Sequence, residues 1–177
     1  MARLLGNMAK AYSVTSDPFY VNGNLTESAA GTFTELEISL PLDSLNREGV
    51  IVHAVYFSGD EPERLVNQMS RIRMQVTATS KSSIVGANDA NLISRQEKYV
   101  MGGAAEFSGP HVIDVIASNE PYSESDNLGL IATDNVFLGI QSTNQAAAKA
   151  VQCRLVCSRI KLSADAYAAL VTNELSS

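Results

Sequence analysis

The sequence predicts an all-β protein: an antiparallel β-sandwich or single jelly roll of about eight strands, with a short inserted helix and a C-terminal helix. From Phe33 to Leu162, apolar runs of strand length are followed by polar breaks rich in Ser, Asn, Asp and Gly. Several runs alternate apolar and polar residues with period two, the pattern of half-buried strands. The spacing is irregular and shows no βαβ rhythm, so antiparallel pairing is favoured over a parallel sheet.

Composition narrows the function classes. The chain has 177 residues, a net charge of −6 and only 18% charged residues, against roughly 25% in ordinary soluble domains. Few charges are typical of a protein packed against neighbours, because interface cores are depleted in charge; a weakly charged globular surface is the alternative. The acidic balance argues against nucleic acid as the main partner. No stretch approaches the ~20 apolar residues that span a bilayer, and residues 1–12 lack the apolar core of a secretory signal.

The first thirty residues differ from the rest and are predicted to form an N-terminal arm (1–30) outside the jelly-roll domain (31–177). Residues 1–12 carry apolar side chains at helical spacing, and residues 13–31 are rich in turn formers. We expect the arm to contact a neighbouring subunit, a membrane or nucleic acid; a first helix docked on its own core is the alternative. The predicted inter-subunit arm residues are Arg3, Leu4, Leu5, Met8, Lys10 and Tyr12.

The early strands are the clearest. Thr34–Leu42 and Arg71–Thr79 alternate strictly, so each has one face in the core. Val50–Phe57 is apolar on both faces, which indicates a strand covered on both sides. Further strand candidates are Leu92–Met101, Val112–Ala117, Leu128–Thr133 and Asn135–Ser142.

Residues 60–70 interrupt the strand series. Asp60 followed by Glu63 resembles a capping box, and Pro62 suits a first helical turn. We therefore predict a short helix at this position.

The last strand and the last helix are predicted together. Within Ala150–Leu162, the apolar parity changes between Cys157 and Ile160, which we interpret as a β-bulge near Ser158-Arg159. Ser163 is the predicted N-cap of a terminal helix, with Leu162 and Tyr167 in the hydrophobic-staple positions. The apolar stripe of this helix is Tyr167, Leu170, Val171 and Leu175.

Residues with chemistry are sparse, and we predict no catalytic residue, no metal site and no cofactor. His53 and His111 have no Cys or carboxylate at ligand spacing, and a zinc site needs three or four ligands. His53 is interpreted as a hydrogen-bonded core imidazole. Cys153 and Cys157 lie four apart on one strand face, too far for a disulfide, and are interpreted as buried free thiols.

Two charged groups have open interpretations. The acidic loop around Glu120, Glu124 and Asp126 is interpreted as solvated, although clustered carboxylates also suit Ca²⁺. Arg71 and Arg73 share one strand face. They either protect a sheet edge or form ion pairs across a subunit boundary.

The whole-chain pattern resembles that of single jelly-roll viral coat proteins, and especially the small major capsid proteins of tailless icosahedral viruses. The resemblance lies in the N-terminal arm, the strand count, the early inserted helix and the long polar loops; no motif carries it. It implies a non-enzymatic structural protein that self-assembles into a capsid shell through barrel–barrel contacts and the arm. The weakly basic arm departs from the strongly basic arms of RNA-virus coats, which favours contact with a neighbour or an internal membrane over genome packaging.

The partners expected from the resemblance are other copies of the chain, with a second capsid protein, an internal membrane or the genome as further contacts. No small-molecule substrate is expected, and the location is the virion, with assembly in the host cytoplasm. The alternative function is a receptor- or carbohydrate-binding β-sandwich module, against which the absence of Trp and the 6% aromatic content count. A cupin-type enzyme is disfavoured because its His and carboxylate cluster is missing.

Overall fold

A computed structural model describes residues 12–102, 111–117 and 127–175 of the chain. These ranges form ten strands, one 3₁₀ turn at Ser44–Asn46 and one α-helix. The all-β class and the C-terminal helix are confirmed. The elements are β1 (Tyr12–Val14), β2 (Phe19–Thr26), β3 (Thr34–Ser39), β4 (Glu48–Gly59), β5 (Met69–Thr77), β6 (Leu92–Met101), β7 (His111–Ala117), β8 (Gly129–Ile131), β9 (Asn135–Thr143), β10 (Ala150–Leu162) and α1 (Ala164–Leu175).

The strands form two antiparallel five-stranded sheets. Sheet A has the order β1–β10–β4–β8, with β2 beside β1 on the same edge of β10, and sheet B has the order β3–β9–β5–β6–β7. When β1 and β2 are counted as one strand and β7 is set aside, eight strands remain. These pair from the outside of the chain inward: β1/β2 with β10, β3 with β9, β4 with β8, and β5 with β6. Nested pairing is that of a long hairpin, and the β4–β10 and β5–β9 pairs roll it into a jelly roll.

The segment predicted as an N-terminal arm, residues 1–30, contains the first two strands of the jelly roll. β2 pairs along its whole length with β10, so residues 12–26 belong to sheet A. Asn22 and Gly23 gave β2 the appearance of a loop. A Cβ at Gly23 would lie 2.5 Å from Ile38 Cδ1 and 3.2 Å from Cys153 Sγ, so the close packing of β2 on the core favours a glycine here.

The helix predicted over residues 60–70 is wrong. This segment is an irregular connection whose acids bind the β9–β10 turn instead of capping a helix. Asp60 accepts from the Ala150 amide at 2.9 Å, and Glu63 accepts from Lys149 Nζ at 2.7 Å. The Lys149 hydrogen bond, followed by that from the Ala146 amide, lowers the pKa of Glu63. Long-range polar contacts therefore prevail over a weak local capping pattern.

The β-bulge lies at a different position from the one predicted in the last strand, and the change in apolar parity along that strand has a different cause. The β4–β10 register shifts between Val156 and Cys157, and the extra residue, His53, belongs to β4. Strand β10 keeps its alternation throughout. Ile160 is buried on the outer face of sheet A, in a second apolar cluster beneath α1. The change in apolar parity therefore marks the point where the outer face becomes covered.

The main core lies between the two sheets. The inward side chains predicted for β5, from Ile72 to Ala78, are all buried there. Cys153 and Cys157 are buried free thiols, as predicted. The largest fully buried apolar side chains of this core are Ile72, Met74, Ile131, Leu138, Ile140 and Leu155.

Helix α1 begins as predicted. Ser163 Oγ accepts from the Ala166 amide at 3.3 Å, and its carbonyl accepts from the Tyr167 amide at 2.9 Å. Leu162 and Tyr167 both belong to the second cluster, which agrees with a hydrophobic staple. Within the described ranges, no helix has the length and apolar character needed to cross a membrane.

Candidate interaction surfaces

The outer face of sheet A is divided into two halves. At one end α1 packs on outward side chains of β4, β8 and β10; we call this the helix-covered half, defined by Ile51, Leu130, Ile160 and Leu162. Glu174, near the end of α1, is buried and accepts from the amides of Ala132 and Thr133 at 2.9 Å each. The helix is therefore held by apolar contacts along its length and by a carboxylate at its end.

The other half of this face is open and forms a groove. Register places Tyr20 of β2 opposite Val156 of β10, and Arg154 of β10 between Asn22 and Tyr56. Tyr20 is 65% exposed and Tyr56 is 45% exposed. The volume of the groove is about 760 Å³. We call it the tyrosine groove; its outward side chains are Tyr20, Asn22, Asn24, Tyr56, Ser58, Gln152, Arg154 and Val156.

Arg154 gives the tyrosine groove its charge. Its guanidinium lies over the Tyr20 ring at 5.4 Å from the centroid, and its Nε donates to Asn22 Oδ1 at 3.1 Å. Both contacts fix the planar head against β2. Among the side chains that line the groove, Arg154 alone is charged. The groove is thus cationic on a chain whose net charge is −6.

A second exposed feature is the turn between β3 and β4. Leu45 at its tip is 94% exposed. The turn is ordered by its own side chains: Asp43 accepts from the Leu45 amide at 3.1 Å, and Glu48 accepts from the Asp43 amide at 3.0 Å. The Arg47 carbonyl accepts from the Leu162 amide at 3.1 Å, which ties the turn to β10. We call Asp43–Glu48 the leucine turn.

Exposed apolar side chains also cluster at one end of sheet B. Met69 and Met101 are paired residues of β5 and β6, and Val66 lies in the turn before β5. The Gly102 amide donates to the Gln68 carbonyl at 3.0 Å, which places that turn against the end of β6. We call Val66, Met69 and Met101 the methionine end.

Most of the outer face of sheet B is engaged within the chain. Gln75, fully buried, donates to the Ser83 carbonyl and accepts from the Val85 amide, so the loop after β5 lies across the sheet. Arg71 pairs with Glu97 at 2.9 Å. Arg73 donates to Gln141 Oε1 at 3.1 Å. Burial, and after it the charge of Arg71, lowers the pKa of Arg73. These two arginines therefore have partners in their own chain.

The residues considered as catalytic or metal-binding groups lie where they contribute to the fold. His53 is half-buried and lies 3.0 Å from Ser158 Oγ, on the outer face of sheet A instead of in the core. Desolvation raises the pKa of Cys153 to about 11 and that of Cys157 to about 12. In the part of the chain that the structure describes, no group of three His, Cys, Asp or Glu side chains is arranged to hold a metal. The acidic loop of residues 118–126 lies outside that part.

The predicted arm residues are only partly described. Tyr12 lies in β1 opposite Leu162 and packs on the second cluster of its own chain. Arg3, Leu4, Leu5, Met8 and Lys10 lie outside the described residues.

No protein-family model and no curated protein matches the chain. Among solved structures, the chain is similar to VP1 of Trichodysplasia spinulosa-associated polyomavirus, with 8% sequence identity and a TM-score of 0.40, over 85% of this chain and 96% of that chain. The jelly roll expected from the resemblance to viral coat proteins is established by the strand pairing.

Sequence reasoning predicted a turn over Asp43–Gly49, but it missed the tyrosine groove and the exposed apolar tip of the leucine turn. The groove joins residues 20, 56 and 154, which only the register of three strands brings together. The alternation of Phe19, Val21 and Leu25 was the signal that could have revealed β2. Leu45 lies in that predicted turn, but a single apolar residue is common on protein surfaces, and its 94% exposure is known only from the structure.

Proposed function

We propose that this protein is a structural subunit of a viral capsid shell and that it assembles with copies of itself. The observation that supports the proposal is the distribution of exposed apolar side chains over separate parts of a single jelly roll. The tyrosine groove, the leucine turn and the methionine end each carry at least one side chain that is 45% or more exposed. A shell subunit needs several distinct contacts, because each copy meets several neighbours.

The fold and the charge of the chain support the same proposal. Jelly rolls occur in capsid proteins, lectins and cupins, so the fold alone does not decide the function. Exposed apolar groups in separate places offer several contact surfaces to neighbouring copies, whereas a ligand-binding module needs one concave site. With a net charge of −6, copies repel one another at low ionic strength, and screening favours their association.

The arm adds a further contact in this proposal. Residues 1–11 include Leu4, Leu5 and Met8 together with two basic residues. We assign these a contact with a neighbouring subunit or an internal membrane, and we place the protein in the virion after assembly in the host cytoplasm. A chain lacking residues 1–11 keeps Tyr12 and β1, so it is expected to fold and to assemble less well; normal assembly of this truncation would remove the arm from the proposal.

The test of the proposal is the size of the particles that the purified chain forms. Sedimentation velocity and negative-stain microscopy over a range of salt and protein concentration should show large, uniform assemblies that grow with ionic strength. A strict monomer under all conditions would overturn the proposal.

A receptor- or carbohydrate-binding module is the second candidate, and the tyrosine groove favours it. Two exposed tyrosines, an arginine and the amides of Asn22, Asn24 and Gln152 offer ring faces and hydrogen-bonding groups to a polar ligand. A glycan array with one clear saccharide hit, abolished by Tyr20→Ser, would establish this function; no hit would leave the shell proposal in first place.

A further inference from the structure

The leucine turn presents an apolar anchor in a fixed conformation. Leu45 is 94% exposed, although a leucine side chain is more stable when buried than when it lies in water. The side chains of Asp43 and Glu48 hold the turn in place, so little conformational entropy remains to be lost when it docks. An ordered turn with a leucine at its tip is suited to insertion into a cavity of a partner.

The tyrosine groove is a cavity of suitable character. Its volume of about 760 Å³ admits a turn and not only one side chain, and Tyr20 and Tyr56 provide apolar ring faces. Its charge also fits. The groove has Arg154 as its charged side chain, and the leucine turn has Asp43 and Glu48 against Arg47, so the turn carries a net negative charge.

The two features cannot meet within one molecule. Glu48 at the end of the leucine turn and Tyr56 in the groove are eight residues apart on β4, which is roughly 25 Å at ~3.3 Å per residue. Helix α1 covers the outer face of sheet A near Ile51, between them. A contact between the turn and the groove therefore requires two copies of the chain.

We infer that the leucine turn of one copy inserts into the tyrosine groove of the next, with Leu45 between Tyr20 and Tyr56 and Asp43 near Arg154. The inference rests on the proposed self-assembly and names one of its contacts. The contact is heterologous: each copy offers a turn to one neighbour and a groove to another. Such contacts close into rings or continue as open assemblies, whereas an isologous contact stops at a dimer.

Disulfide cross-linking tests the contact directly. The chain has two cysteines, both buried, and their raised pKa values keep them unreactive. Asn46→Cys places a thiol in the leucine turn, next to Leu45, and Ser58→Cys places one in the groove; both positions are exposed. Oxidised glutathione, added as the oxidant, accepts two electrons and two protons from the thiol pair, so the protein disulfide forms and two molecules of reduced glutathione leave.

The expected result is specific to a contact between two different surfaces, the leucine turn of one copy and the tyrosine groove of another. A mixture of the two variants should give cross-linked pairs, while each variant alone should give none. Adding Leu45→Ser to the first variant should lower the yield at least tenfold, since one apolar anchor is lost, and adding Leu45→Met instead should preserve it. Tyr20→Ser and Tyr20→Phe form the matched pair for the groove.

Each other outcome has a defined meaning. If either cysteine variant cross-links with itself, the same surface of two copies meets, turn with turn or groove with groove, and the inference is wrong. If the unmodified chain assembles but the mixture does not cross-link, the inference fails and the proposed function stands. If the unmodified chain is monomeric under all conditions, both fail.

Discussion

The two halves of the outer face of sheet A are built on the same strands, but one half is covered by helix α1 and the other is exposed. In the helix-covered half, Ile51 and Ile160 point outward and are buried by α1. In the tyrosine groove, the outward positions of the same two strands are Tyr56 and Arg154, and within residues 12–102, 111–117 and 127–175 no helix covers them. Where the outward side chains are apolar, the chain's own helix packs on them. Where they are partly polar and partly apolar, the surface stays exposed and is available to another molecule.

The largest expected effect comes from truncating the helix-covered half. Ile160→Ala should lower the free energy of unfolding by about 2–5 kcal/mol, because it leaves a cavity under α1. Val156→Ala, in the half-buried floor of the groove, should cost about 1 kcal/mol or less. Chemical denaturation of both variants measures the difference. Equal losses would mean that the two halves contribute equally to stability and that the comparison is mistaken.

The next effect concerns the carboxylate that holds the end of α1. Glu174→Gln replaces one of two acceptor oxygens by an amide donor that faces a backbone N–H, so we expect a loss of about 1–3 kcal/mol. Asp165→Asn, at the exposed start of the same helix, is the control and should cost less than about 1 kcal/mol. Thermal unfolding followed by circular dichroism ranks the two variants. A harmless Glu174→Gln would show that apolar contact alone retains the helix.

A pH effect follows from the thiols beneath this sheet. Desolvation raises the pKa of Cys153 to about 11 and that of Cys157 to about 12, from an ordinary 9.0. A raised pKa favours the protonated thiol in the folded state. The resulting stability is fully present below about pH 9 and is lost as the pH rises toward 11 and 12. Denaturation between pH 7 and 10.5 should show falling stability, and a Cys153→Ala/Cys157→Ala chain should show a flatter profile on a lower baseline; parallel profiles would contradict the assignment.

The smallest effect on stability is expected in the groove itself. Tyr20→Ser should change the free energy of unfolding by less than about 1 kcal/mol, because the side chain is largely exposed. Tyr12→Ser, whose tyrosine packs on the helix-covered half, should cost more. When the two variants are compared at equal concentrations of folded protein, Tyr20→Ser should reduce self-assembly more than Tyr12→Ser does. Identical behaviour of the two variants in both assays would remove the distinction between the halves.

Much of the fold could be predicted from the sequence because alternation is a local property. The predicted bounds of β6 and β10 agree with the structure, and the two-faced apolar character of β4 correctly indicated cover on both sides near Ile51. The cap at Ser163 was equally local. In each case the side-chain order along one segment records which faces are buried.

The errors came from long-range packing. Strand β2 was missed because Gly23 reads as a turn residue, although it is selected by the closeness of Ile38. The change of apolar parity in β10 was interpreted as a bulge. A bulge and a second apolar layer on the outer face of a sheet produce the same pattern of apolar residues along the sequence. The candidate site could not be predicted, since its parts lie on three strands whose register only the fold defines.

The most direct test of self-assembly is the molar mass of the purified full chain, measured by multi-angle light scattering. We expect masses many times that of the 18.9 kDa chain, rising with protein concentration and with salt, and reduced by Leu45→Ser but not by Leu45→Met. A constant mass equal to that of one chain, under every condition and for every variant, would contradict self-assembly.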